Sequence, residues 1–196
     1  MTTVLRSLYD RTMALAGHRH ANWALAAVSF IESSVFPIPP DVMLIPMVLA
    51  KRHKALLIAV ICTAASVLGG LAGYAIGLFL FDGIGQPILE FYGYGEKFAS
   101  FQSRYNEWGV WIVLIAGLTP FPYKVITIAS GVTGLSLPVF LIVSILARGC
   151  RFAIVTALLW KFGAPIRDFI ERYLSLLFIL FIVLLIGGFA VVKLVL

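Results

Sequence analysis

The chain of 196 residues is 61% hydrophobic and 12% charged, with a mean hydropathy of +1.03. Soluble domains are about half apolar and about a quarter charged, so the composition excludes an ordinary soluble domain and indicates a polytopic membrane protein forming one integral-membrane domain over 1–196. The net charge of +6 is spread in short basic groups beside apolar segments, a pattern of membrane topology and not of a nucleic-acid-binding stripe.

Residues 1–20 place Val4, Leu8 and Leu15 near one face with Arg6 and Asp10 elsewhere, which predicts a short helix lying in the membrane interface. Arg6, Arg11 and Arg19 precede an apolar run as in a signal peptide. Glu32 interrupts that run, however, and a proline cluster stands where a cleavage site would be, so the N-terminus is expected to be retained.

Residues 21–50 contain two apolar legs separated by Phe36-Pro37-Ile38-Pro39-Pro40-Asp41. The legs reach about 24 Å and about 14 Å at 1.5 Å per residue, short of a hydrocarbon core of about 30 Å. The segment is therefore predicted to be a re-entrant hairpin turning at Pro37, Pro39 and Pro40. Backbone left unpaired by prolines at depth must be covered by protein or face a wet cavity. Lys51-Arg52-His53-Lys54 follows; basic flanks on both sides place both ends of the hairpin, and the N-terminus, on the cytoplasmic side.

Residues 55–81 form the first predicted transmembrane helix, with Gly69, Gly73 and Gly77 at four-residue spacing as a ridge for close helix packing. The segment 82–108 is more acidic than basic and is expected outside. Its Tyr94, Phe98, Phe101 and Tyr105 form one face of an amphipathic helix resting on the outer surface. At 109–134 the opening pattern recurs: a short apolar leg, the turn Pro120-Phe121-Pro122-Tyr123-Lys124, and a second short leg, giving a second re-entrant hairpin turning at Pro120 and Pro122. Transmembrane helices are predicted at 137–160, carrying Arg148 and Arg151, and at 174–196. The fold class is thus an all-α membrane protein, an inverted repeat of hairpin plus spanning helix with a further C-terminal span. Folds of that kind place their site near the bilayer midplane.

Cys62 and Cys150 lie in apolar runs and act as small hydrophobes. Trp23, Trp108, Trp111 and Trp160 lie near segment ends, as interfacial anchors do. Each ionisable residue at bilayer depth costs about 2.5–3.5 kcal/mol on insertion scales. Glu32, Asp41, Lys124, Arg148 and Arg151 should therefore converge. One reading gives Glu32 and Asp41 to proton or ion coupling and Lys124, Arg148 and Arg151 to an anionic head group. The other makes them permanent ion pairs that lock the hairpins together. Asp41 is also placed to cap the second leg, and Lys124 to snorkel to the interface. Ser33, Ser34, Thr119 and Thr127 are expected to satisfy broken backbone.

The run Glu32-Ser33-Ser34 through Asp41, the Gly73-Tyr74-x-x-Gly77 element and the segment 120–134 together resemble the DedA family of bacterial membrane proteins, whose shared region is the VTT or SNARE-associated domain. The likeness spans roughly 21–163 and is greatest to a short subgroup. It implies facing re-entrant hairpins in a multi-pass protein of the bacterial inner membrane. It also implies proton-motive-force-dependent movement of a phosphorylated lipid, undecaprenyl phosphate or a phospholipid. Glu32 and Asp41 match the family's acidic positions. Its arginines around the second hairpin are not matched: none occurs between Arg104 and Arg148, and Lys124 stands near one of them. Lysine offers a point charge where arginine offers a bidentate fork.

The expected function is a transporter or flippase and not an enzyme. Its partners are an anionic lipid phosphate, protons and membrane lipids, without nucleic acid, cofactor or metal, and a homodimer is one open assembly. An intramembrane enzyme acting on lipid phosphates is the less favoured alternative: His18, His20 and His53 lie outside the spans and no H-E-x-x-H occurs. A structural or assembly factor is the third.

Overall fold

The computed structural model describes residues 20–35, 39–119, 121–163 and 165. The helix expected within 1–20, the span at 174–196, and Pro37 and Pro120 lie outside these. No strand occurs among the described residues.

Helix α1 (Ala21–Ser34) ends where the Val35 N–H bonds to Ile31 O, and α2 (Asp41–Ala50) begins directly after Pro40, whose φ of −65° suits a helix start. Ala21 and Leu25 at the start of α1 share an apolar cluster with Met47 and Val48 near the end of α2, so the chain turns back between them. A single turn at Arg52–Lys54 leads into α3 (Ala55–Leu80). At the end of α3 the Gln86 N–H reaches back five residues to Phe81 O, and the wide turn carries the helix on into α4 (Gln86–Phe91). The helical rod therefore runs over 40 residues, Arg52–Phe91, past the end expected at 81.

Helix α5 (Gly95–Leu118) is continuous. The sequence reading divides this stretch at 108/109 into an outer amphipathic segment and a separate leg, whereas the structure passes through without a break. The reason is that the aromatic face turns inward. Phe98 stacks on Phe81 at 4.6 Å, Phe101 packs into a core cluster, and the Tyr105 hydroxyl meets Ser130 Oγ at 3.0 Å. Gln102 and Asn106 both donate to Thr133 O. From Phe98 onward the face is thus occupied at least in part by protein, while Tyr94 at its start stays 50% exposed. Helix α6 (Tyr123–Val132) returns along α5, and α7 (Leu137–Gly163) follows.

Two apolar clusters divide the molecule along its length. One joins the start of α1, the end of α2, the start of α3 and, from α7, Phe152 and Leu159. The other joins Tyr74 of α3, α5, α6 and the start of α7. The long helices α3 and α7 thus run antiparallel, each broken pair of helices sits toward one end, and the breaks meet between the clusters, where Lys124 Nζ donates to Val35 O at 3.2 Å.

Close approach is set by the glycine ridge. A methyl group at Gly69 would fall on the backbone of Phe30, at Gly73 on Thr127, and at Gly77 on the backbone of Ile128. Gly131 of α6 answers in kind, since a methyl there would fall on Tyr74 O. One face of α3 therefore receives the backbones of both α1 and α6.

Along α7 the inward stripe carries Ser144, Arg148 and Thr156 between aromatic and aliphatic residues, while Ile142, Ile145, Leu146, Ile154 and Leu158 face out. Polar groups inside and aliphatic groups outside invert the order of a soluble protein and suit a lipid surround. Two helical stretches, Arg52–Phe91 and Leu137–Gly163, are long and apolar enough to cross a bilayer. Trp23, Trp108, Trp111 and Trp160 are all exposed.

Gly77→Ala and Gly131→Ala should each lower stability by about 1–3 kcal/mol through overpacking. Gly83→Ala, with nothing within 4 Å, should be neutral or slightly stabilising. Unfolding by sodium dodecyl sulfate in mixed micelles measures all three; equal behaviour would show that the ridge does not set the helix spacing.

Candidate functional site

The charged residues picked out in the sequence come together where the two breaks meet. Glu32 lies in the last turn of α1 and Asp41 in the first turn of α2, so both carboxylates flank the first break. Arg148 and Arg151 are three apart on α7, close to its middle, and share one face. Arg148 Nη2 meets Glu32 Oε2 at 2.9 Å, and Arg151 Nη2 meets Asp41 Oδ2 at 2.7 Å. The first pair is the deeper, with side-chain exposures of 0% for Arg148 and 11% for Glu32 against 16% and 27% in the second.

Around the inner pair the hydrogen bonds close into a ring. The Ser33 hydroxyl donates to Glu32 Oε2 at 3.0 Å, so the 2.6 Å contact between Ser66 and Ser33 takes its hydrogen from Ser66. Ser66 Oγ in turn accepts from Arg148 Nε at 2.6 Å. The ring Arg148–Glu32–Ser33–Ser66 joins α1, α3 and α7, with each donor aimed at the next acceptor, and in a low-dielectric interior such chains reinforce one another. Both bonds to the carboxylate fall on Oε2.

The central carbon of the Arg148 guanidinium lies over two rings, 4.9 Å from the centroid of Tyr123 and 4.8 Å from that of Phe152. Tyr123 belongs to one apolar cluster and Phe152 to the other. The Tyr123 hydroxyl donates to Ser144 Oγ at 2.5 Å. Two buried polar atoms of the site have no hydrogen-bond partner among the described residues, Arg148 Nη1 and Asp41 Oδ1. Leaving buried polar atoms unpaired is costly, and these two hold hydrogen-bonding capacity that the described residues do not use.

Lys124 is half-buried and reaches back to Val35 O, one of the carbonyls that the end of α1 leaves free. Arg151 Nη1 similarly approaches Thr119 O, just past the end of α5, at 3.4 Å. Each break thus has a carbonyl facing a cation from elsewhere in the chain. Lys124 forms no ion pair among the described residues and makes an inward contact where snorkelling to the interface was one expectation. Asp41 caps nothing: its carboxylate is on Arg151, and no side-chain cap bond forms at the start of α2. Ser34 bonds to Phe30 O and Ile31 O, and Thr127 to Ser33 O and Lys124 O; both serve backbone, as expected. Ser33 departs from that expectation by joining the ionic ring. Pro39, Pro40 and Pro122 flank the two breaks.

Ser66, Tyr123, Ser144 and Phe152 were not singled out from sequence. Ser66 carried a signal, since it precedes Gly69 by three and Gly73 by seven and so lies on the same α3 face. Tyr123 stood in the second proline-rich turn. Where the resemblance leads one to expect arginines around the second hairpin, α7 delivers two guanidinium groups to that place, Arg148 onto Tyr123 and Arg151 toward Thr119 O. Among the described residues no cluster of three or more His, Cys, Asp or Glu could hold a metal ion.

Removing one member of the inner pair leaves an uncompensated buried charge. Glu32→Ala or Arg148→Ala alone should therefore cost about 3–5 kcal/mol, and Glu32→Leu with Arg148→Met should recover most of it. Unfolding in mixed micelles measures the cycle; singles costing under about 1 kcal/mol would mean that the pair is solvated.

A family model described as the VTT domain matches residues 38–161. An uncharacterized protein of Haemophilus influenzae is 42% identical over 172 residues, covering 86% of this chain and 89% of its own. An uncharacterized protein of Histophilus somni is also 42% identical over 172 residues, covering 86% and 90%. No solved structure matches. With nearly two thirds of its length inside that domain and its apolar helices wrapped around a charged centre, the chain belongs to the VTT-domain (DedA) family of membrane proteins.

Proposed function

We propose that the protein is a multi-pass transporter of the bacterial inner membrane that moves a phosphorylated lipid between leaflets together with a proton. The observation that carries this reading is the Glu32–Arg148 pair with its unpartnered Nη1. As it stands the pair is neutral. A proton taken at Glu32 Oε1 discharges the carboxylate and releases Arg148, and a lipid phosphate then takes the place of the carboxylate on the guanidinium. Protonation leaves Arg148 with a single positive charge and a monoanionic lipid phosphate cancels it on binding, so the loaded centre is neutral, the condition for crossing a low-dielectric layer cheaply. Asp41–Arg151, less buried and one turn along α7, is a second pair of the same kind nearer the surface of the core. Lys124 adds a positive charge beside both breaks.

The geometry supports re-entrant hairpins. Helices α2 and α6 have ten residues each, about 15 Å, half of a hydrocarbon core. The ions they present lie near mid-length of α3 and α7. On this reading the two halves form an inverted repeat around a midplane chamber. The substrate is undecaprenyl phosphate or a phospholipid, and the reading assigns the chain no bond-breaking chemistry.

A second reading has one observation in its favour, that both acids are already paired. The pairs would then be a permanent lock and the protein an assembly factor. Transport of fluorescent phosphatidic acid in proteoliposomes, with and without a pH gradient, separates the two. On the transport reading Glu32→Gln mimics the protonated acid and keeps downhill movement while losing stimulation by the gradient. Arg148→Ala lowers the rate by about 10–100-fold, the worth of a charge-assisted hydrogen bond. Full gradient-driven transport by Glu32→Gln would remove the coupling role, and no transport by the wild type would favour the lock.

Re-entry has its own test. Single cysteines beside 36–41 and 120–124, placed in a variant with Cys62 and Cys150 replaced by alanine, should each react with membrane-impermeant thiol reagents from one face only, and the two sets from opposite faces. Labelling of both breaks from the same face would end the inverted-repeat description.

A further inference from the structure

We propose that Tyr123 and Phe152 hold the Arg148 guanidinium in place independently of Glu32, making it a fixed two-pronged receptor for the oxygens of a phosphoryl group. The inference rests on the transport reading and names what that reading needs: when Glu32 is discharged, something else must keep the arginine from following it.

Three contacts do not involve the carboxylate. Nε is bonded to Ser66 Oγ at 2.6 Å, and the central carbon lies over the rings of Tyr123 at 4.9 Å and Phe152 at 4.8 Å. Both rings belong to residues fully out of solvent, and Tyr123 is fixed in turn by its bond to Ser144. A cation against aromatic faces is held most strongly where water is excluded. Of the guanidinium nitrogens, Nε is taken by Ser66, Nη2 by Glu32, and Nη1 by nothing among the described residues. Loss of the carboxylate therefore opens the Nη1/Nη2 edge while the plane stays anchored. That edge is a planar fork matching two oxygens of a phosphate. Arg151 is not held in this way, since the one ring contact it makes among the described residues, with Phe152, is at 5.9 Å. Tyr123 and Phe152 are positioning residues: they act through Arg148.

The test has a spectroscopic arm and a transport arm. Full-length protein labelled with 15N-arginine in phosphatidylethanolamine/phosphatidylglycerol nanodiscs gives the Nε–H resonance of Arg148, assigned by its loss in Arg148→Lys. In Glu32→Gln the resonance should stay resolved and protected from exchange. It should remain so when Tyr123→Phe is added, which keeps the ring, and merge with exposed arginines when Tyr123→Leu is added. Survival of the signal in Glu32→Gln/Tyr123→Leu, or its loss in Glu32→Gln alone, would overturn the proposal. In proteoliposomes carrying fluorescent phosphatidic acid, Tyr123→Leu should raise KM about tenfold, in line with a desolvated cation–π contact, with Vmax changed far less, and Tyr123→Phe should restore KM. An unchanged KM in Tyr123→Leu would refute the receptor. If the wild type moves no lipid, the transport reading falls, while the resonance still decides whether the rings hold the arginine.

Discussion

A guanidinium enclosed among apolar helices has to be given counter-charge and acceptors from outside its own helix, and the arrangement of this fold follows from meeting that need at Arg148. α1 supplies Glu32 and Ser33, α3 supplies Ser66, and α6 supplies the Tyr123 ring. These three helices can reach a common point because the glycine ridge of α3 admits two neighbouring backbones at once. The ridge and the ionic ring are thus two parts of one solution. Small residues bring the donors and acceptors within bonding distance, and the bonds repay the cost of enclosing the charge.

The seam between the two apolar clusters is where this happens. Each cluster gives one ring contact to Arg148, Phe152 from one and Tyr123 from the other. On either side of the seam the core is largely aliphatic and aromatic packing, with uncharged hydrogen bonds such as Tyr74 to Leu135 O and Tyr105 to Ser130. Free backbone carbonyls at the two breaks are met at the same level by Lys124 and Arg151. Among the described residues the buried ion pairs and the broken backbone share one layer, as expected where lipid surrounds the molecule and nothing outside can satisfy them.

Much of this was legible before the structure. Prolines mark the breaks, because a proline removes a backbone donor; the short-leg reading matches α1, α2 and α6, whereas the leg before the second break belongs to α5, whose 24 residues reach about 36 Å. The period of four in Gly69, Gly73 and Gly77 marks a close packing face. The high cost of isolated intramembrane charge requires Glu32, Asp41, Arg148 and Arg151 to meet. What periodicity does not carry is which acid meets which base, since Glu32 and Arg148 are 116 positions apart and either pairing would satisfy the same cost. The continuity of α5 was hidden for a related reason. Arg104 and Glu107 count toward the charge of an outer segment, whereas Gln102 and Asn106 beside them serve Thr133 O and the helix runs on. Ser66 and Tyr123 were missed because a serine or tyrosine in an apolar segment has many uses, and only the position of Arg148 selects one.

The contacts of α3 also partition the molecule mechanically. Gly69, Gly73 and Gly77 seat α1 and α6 backbone to backbone on one rod, and Thr127 stitches α6 to Ser33 O of α1. Sliding either seat by a residue would drive a Cβ into a carbonyl, so these three helices form a chassis. The acids ride on or beside that chassis, while both arginines ride on α7 and reach the acids only through long, rotatable side chains. The polar ties of α7 to that chassis and to α2 are thus gathered within about two turns, at Ser144, Arg148 and Arg151.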